Sequence, residues 1–161
     1  MLPRWHIFFG AIFTFIIWIS APQTPIIFLL LMFSSSFLID FDHYIVSVRQ
    51  TKKLSLKNSF EYHKEELKKE DRDIARGIRR KGDFHIFHTV EFHALVGVLA
   101  IFFSPFLYIF MGMVFHSLLD VFSLVKSGKF HRREYFFFEW RGKSLKGVDL
   151  SNSRIGYKYK N

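Results

Sequence analysis

The chain has 161 residues, half of them hydrophobic and 22 of them Phe, with a formal net charge of +9. That is one domain's length and too apolar and aromatic for an ordinary soluble domain, which places it in a bilayer. The positive charge would suit nucleic acid, but the cations avoid the apolar runs and gather between and after them, as in cytoplasmic loops, so nucleic acid is not an expected partner. Cys is absent, so any metal must take N and O ligands from His, Asp and Glu.

The first apolar run covers about 5–20, with Trp5 at an interfacial position and Arg4 before it. Pro22 and Pro25 stand where a signal peptide would carry its small-residue cleavage site, so the run is expected to be a retained first span. Two prolines so close cannot both continue a helix, and 21–25 becomes the turn of a tight antiparallel hairpin. The second span is expected over 26–41. Ser34, Ser35 and Ser36 within it suit a close helix contact.

A water-soluble insert follows over 46–82 and holds 12 of the 23 Lys and Arg residues, which makes it cytoplasmic. Leu56, Phe60, Leu67, Ile74 and Ile78 recur at helical spacing, with Ser55 as N-cap and Gly82 as stop. Such a helix either lies on anionic headgroups or simply links two spans as a solvated element. His63 sits here among Lys and Glu and is not expected to bind a metal. The third span is expected over 84–103 and, after a turn at Ser104 and Pro105, the fourth over 106–125. A basic cytoplasmic tail, 126–161, carries ten more cations; its aromatic stretch from Glu134 to Trp140 suits the membrane interface. The expected fold is therefore all-α and polytopic, with four transmembrane helices in two hairpins and both termini cytoplasmic.

Three polar clusters break these runs: Asp40, Asp42 and His43; then His85, His88, Glu91 and His93; then His116 and Asp120. Ionisable groups in hydrocarbon cost about 2.5–3.5 kcal/mol each on insertion scales, so three such clusters point to a use. With both termini inside, all three fall on the cytoplasmic leaflet, and His88 and Asp120 lie only about 8 Å deep. His116 and Asp120 are four apart and share one helix face. His88 and His93 would be about 140° apart on one straight helix. Either the helix begins after His88, or two ions are bound, or one of these residues only supports a ligand. Gathering Asp40 and Asp42 likewise requires the helix to end there. His6 and His131, each alone, are assigned to packing. Buried hydrogen-bonded contacts between helices, or an ion or proton pathway, are the competing uses. A pathway would continue across the bilayer, whereas the outer halves of these spans are bare of ionisable groups.

Asp-x-Asp-His at Asp40, Asp42 and His43, then His-x4-His at His88 and His93, then His-x3-Asp at His116 and Asp120, resembles the YdjM-type family of small integral-membrane metal-dependent hydrolases. That family's motifs are similar to those of zinc-dependent phospholipase C. The resemblance covers the four-span core, not the insert or the tail. Ile39 and Thr89 stand where the family has Pro and Arg, and cations of the insert would substitute for that Arg. The resemblance implies a hydrolase of phosphoester or lipid-type substrates at the cytoplasmic face of a prokaryotic cell membrane, with zinc or manganese, one or two ions. Asp42, His88, His93, His116 and Asp120 would ligate, Asp40 would bridge or act as general base, and Glu91, His43 or His85 would support the ligands or supply an acid. The alternative is a non-catalytic metal-binding or ion-conducting four-helix membrane protein.

Overall fold

The computed structural model describes residues 3–78 and 81–145, the last three by backbone only. Arg79 and Arg80 of the insert, and the tail from Lys146 onward with Arg154, Lys158 and Lys160, lie outside the described residues. Among the described residues there is no strand, and the elements are α1 (Pro3–Ser20), α2 (Ile26–Leu38), α3 (Phe41–Thr51), α4 (Leu56–Ala75), a 3₁₀ turn Ile86–His88, α5 (Val90–Phe102), α6 (Ser104–Lys126), a 3₁₀ turn Phe130–Arg132 and α7 (Phe137–Leu145). Three stretches are long and apolar enough to cross a membrane: α1, α6, and Ile26–Thr51, which takes in α2, the Ile39–Asp40 turn and α3. The apolar helix α5 has 13 residues, about 20 Å, and is shorter than these three.

Proline punctuates the apolar runs. Pro3 opens α1 and Pro105 sits in the first turn of α6, where a missing N–H leaves no intrahelical bond unmade. Between α1 and α2 the turn is closed by Thr24 N–H donating to the Ala21 carbonyl at 3.0 Å. The third apolar run becomes helical later than its composition suggests. Residues 84–89 form an irregular stretch and a 3₁₀ turn, and α5 starts only after Thr89, whose hydroxyl accepts from the Phe92 N–H at 3.3 Å.

The chain divides into two compact units, one holding the described chain up to Asp40 with Phe87–Ser127, the other Phe41–Ile86 with the described chain from Gly128. In the first, α2 and α5 both pack on α6, and α1 packs on α2 and α6. Small residues set the closeness of these crossings. A Cβ at Gly112 would lie 2.1 Å from Ser35 Oγ and 2.2 Å from the Met32 carbonyl oxygen, and one at Gly10 would lie 2.1 Å from Ser36 Oγ. Ser35 and Ser36 turn their hydroxyls back onto the Met32 and Phe33 carbonyls, which keeps them from facing a neighbour unsatisfied. An apolar cluster of Ile39, Val96 and Met113 fills the space beside them.

In the second unit α3 and α4 form a helical pair, joined where Ser47 donates to Ser59 at 2.7 Å. Ser55 takes the N-cap position of α4 with extended backbone but makes no side-chain cap bond, so its expected capping role is limited to ending the turn. The cations after Gly128 bind the acids of α4: Arg132 Nε lies 2.8 Å from Glu70, and Lys129 Nζ 2.7 Å from Asp71. Burial pushes the Glu70 carboxyl up, against the pull of Arg132 and Lys129. Trp140 of α7 stacks on Phe84 at 4.1 Å.

Candidate metal centre

The first unit buries a set of groups that an apolar interior does not accept without compensation: His6, His88, His116 and Asp120 are all buried, and the Asp40 side chain keeps 15% exposure. Each arrives by a separate local device. Asp40 lies in the turn just after α2 ends, and His88 closes the 3₁₀ turn just before α5, so neither is constrained to a helix face. His116 and Asp120 are one turn apart on α6, Nε2 to Oδ2 3.4 Å.

Their donor atoms converge. His88 Nε2 lies 3.1 Å from His116 Nε2, 3.6 Å from Asp40 Oδ1 and 3.7 Å from Asp120 Oδ2. His116 Nε2 lies 3.4 Å from both Asp40 Oδ1 and Asp120 Oδ2. Four N and O donors held at about 2.0–2.1 Å from one ion at tetrahedral angles are about 3.3–3.4 Å apart. The five separations cluster about that edge length.

Tautomer chemistry agrees. His116 Nδ1 is 2.9 Å from the Ser36 carbonyl oxygen, which can only accept, so Nδ1 carries the proton in the neutral ring and Nε2 presents a lone pair to the cluster. Two carboxylate oxygens and that lone pair therefore face one point, and such an array demands a cation, either protons or a metal.

His6 belongs with this group although the sequence assigns it to packing. Four of these residues, His6, Asp40, His116 and Asp120, can each offer a ligand atom within 4.8 Å of the others. The His6 ring is fully buried, stacks on the His116 ring at 3.8 Å, and finds no hydrogen-bond partner for either nitrogen among the described residues. Its Nε2 is 3.2 Å from Asp120 Oδ1 and 4.0 Å from Asp40 Oδ2. Each aspartate thus turns one oxygen to the His88–His116 pair and the other to His6, the disposition of carboxylates that bridge two ions. Two stacked imidazoles at this distance cannot both be cationic without large repulsion.

The remaining expected residues divide. His93 does not join the group. Its Nδ1–H donates to the Thr89 carbonyl at 2.9 Å and its Nε2 accepts from the Ser117 hydroxyl at 2.9 Å, so both ring nitrogens have protein partners. Because α5 begins after His88, the conflict of direction between His88 and His93 on one helix does not arise. Glu91 lies in the first turn of α5, half-buried, and belongs to none of the groups able to hold an ion. Asp42, His43 and His85 form a group in the second unit, each offering an atom within 4.8 Å of the others. There the His43 and His85 rings lie 3.8 Å apart and His85 Nδ1 is 3.6 Å from Asp42 Oδ1. His63 has its Nε2 3.0 Å from the His43 carbonyl oxygen and is no part of that group. No family model matches the chain, and neither curated proteins nor solved structures yield a match.

Proposed function

We propose that this protein is a membrane-embedded, metal-dependent hydrolase acting on a phosphoester or lipid-type substrate at the cytoplasmic face. The observation that carries the reading is the convergence of His88, His116, Asp40 and Asp120 at near-tetrahedral separations, with an otherwise unpartnered His6 on the far side of both carboxylates. Zinc suits this His and Asp donor set, manganese is the second choice, and the paired carboxylates favour two ions. A bound divalent ion supplies Lewis acidity to a phosphoryl or acyl oxygen and lowers the pKa of water.

The chain's own groups would do the rest. His116, fixed by the Ser36 carbonyl, keeps its Nε2 lone pair aimed inward. Asp40, the one partly exposed member, stands where solvent and substrate would enter, and would serve either as a bridging ligand or, if one of its oxygens is left free, as general base. The ordered motifs that resemble the YdjM-type family support the same reading, and α5 then counts as a fourth, short span. In a four-span arrangement both termini lie on one side, and the cations of the insert and tail would make that side the cytoplasm, with the ends of α2 and α5 at the cluster in the cytoplasmic leaflet.

A second reading, a non-catalytic ion site binding the helices together, draws on the direct His88–His116 contact and the His116–Ser36 bond, which tie α2, α6 and the turn before α5. Turnover separates the two. Reconstituted protein should cleave a phosphodiester or phospholipid, lose that activity to chelator while staying folded, and regain it with zinc or manganese. Stoichiometric metal with no turnover on any phosphoester or acyl ester would leave the structural reading.

A further inference from the structure

Helix α4 is amphipathic in the reverse sense to an ordinary surface helix. Leu56, Phe60, Leu67 and Ile74 fall within about 40° of one another around its axis. All four are exposed, by 39 to 65%. The residues it buries are polar: Ser59, Glu70 and Asp73, displaced to one side of the apolar row. Of these, Ser59 is engaged by Ser47, and Glu70 by Lys129 and Arg132. On the other side of the row stand Lys57 and Lys64, with Lys52 and Lys53 in the turn before the helix, all exposed and without an ion-pair partner among the described residues. Asp71, the acid nearest the row, is held by Lys129.

An apolar row left outward while the polar face is turned in needs an apolar medium, and a lysine border selects an anionic one. We propose that the outward face of α4 docks on an anionic phospholipid surface, with Leu56, Phe60, Leu67 and Ile74 entering the headgroup boundary and Lys52, Lys53, Lys57 and Lys64 contacting lipid phosphates. Three stretches of membrane-crossing length in the same chain keep a bilayer surface at high effective concentration for this helix. The docking is independent of any ion at the metal centre.

The chain has no Cys, so single labels are clean. Full-length protein labelled with an environment-sensitive fluorophore at F60C, in nanodiscs of phosphatidylcholine alone or with phosphatidylglycerol, should show blue-shifted emission and a several-fold fall in quenching by neutral acrylamide only when the anionic lipid is present. The same label at E65C, on the opposite face, should not change, and K57E/K64E should restore quenching of the F60C label. Equal quenching in both lipids would overturn the proposal.

Discussion

The Nε2 atoms of His88 and His116 lie 3.1 Å apart, and the second nitrogen of His116 is committed to the Ser36 carbonyl. Two neutral rings can satisfy this contact only if His88 donates, and the carboxylates of Asp40 and Asp120 crowd the same two nitrogens at 3.4–3.7 Å. An ion removes that conflict, so the first unit should be more stable with metal than without. Chelation of the purified protein is expected to lower its melting temperature, and readdition of zinc or manganese to restore it. An unchanged melting temperature in a protein shown to have lost metal would argue against a role for the ion in holding α2 and α6.

His6 and His93 make a paired prediction, because sequence and structure rank them oppositely. His6→Ala should release an ion or weaken its binding by more than the about 10–100-fold typical of a merely supporting group. His93→Gln keeps a hydrogen-bonding side chain towards Thr89 and Ser117 and should leave the metal content at the wild-type value. Elemental analysis of the two variants decides it; loss of metal in His93→Gln with retention in His6→Ala would reverse the assignment.

The α2–α6 crossing rests on the absence of a side chain at Gly112. Gly112→Ala would force a methyl group to within 2.2 Å of the Met32 carbonyl oxygen, backbone that cannot swing aside. The expected cost is about 3 kcal/mol, the upper end for overpacking. Gly142→Ala, where an added Cβ meets nothing within 4 Å, should cost nothing measurable. Unfolding in detergent compares them directly, and equal stabilities would mean that the helices do not approach this closely.

Glu70 gives the second unit a pH dependence of known sign. Its carboxyl is raised above the ordinary 4.5 by burial, so the fold holds its proton more tightly than the unfolded chain does. The stability it contributes is therefore greatest below about 4.5 and declines as pH climbs through the folded value. Removing Arg132, which pulls the carboxyl down, should deepen that decline. Arg132→Ala is expected to cost about 1.5–3 kcal/mol at neutral pH, the range for a lost hydrogen bond to a charged group, because Lys129 still stands 3.8 Å from Glu70, and less in acid. Amide exchange in α4 at two pH values measures it, and a loss that does not depend on pH would contradict the assignment.

Much of this architecture is legible in the sequence because hydrophobic runs and prolines report directly on helix length and helix ends. The i, i+4 spacing that brings His116 beside Asp120 is helix geometry alone. The start of α5 is not legible in the same way: Phe84, Ile86 and Phe87 are as apolar as the helix that follows, and only Thr89, a capping residue, marks the boundary. His6 is missed for a different reason. A single histidine in an apolar run looks like packing, and its partners stand far along the chain. A signal was available, since His6 lies at the start of the first apolar run, on the same expected leaflet as His88 and Asp120. That Asp42, His43 and His85 converge was beyond the pattern, because residues 43 and 85 are far apart in the chain and 84–89 are not helical from the start.

Whether these histidines and aspartates hold metal is decided by elemental analysis of detergent-purified protein beside a His88→Ala/His116→Ala double variant. One or two equivalents of zinc or manganese are expected per wild-type chain and none in the double variant. A folded wild-type protein that contains no divalent metal, and takes up none when zinc or manganese is added, would contradict metal binding and leave a helical membrane protein whose buried polar groups serve one another.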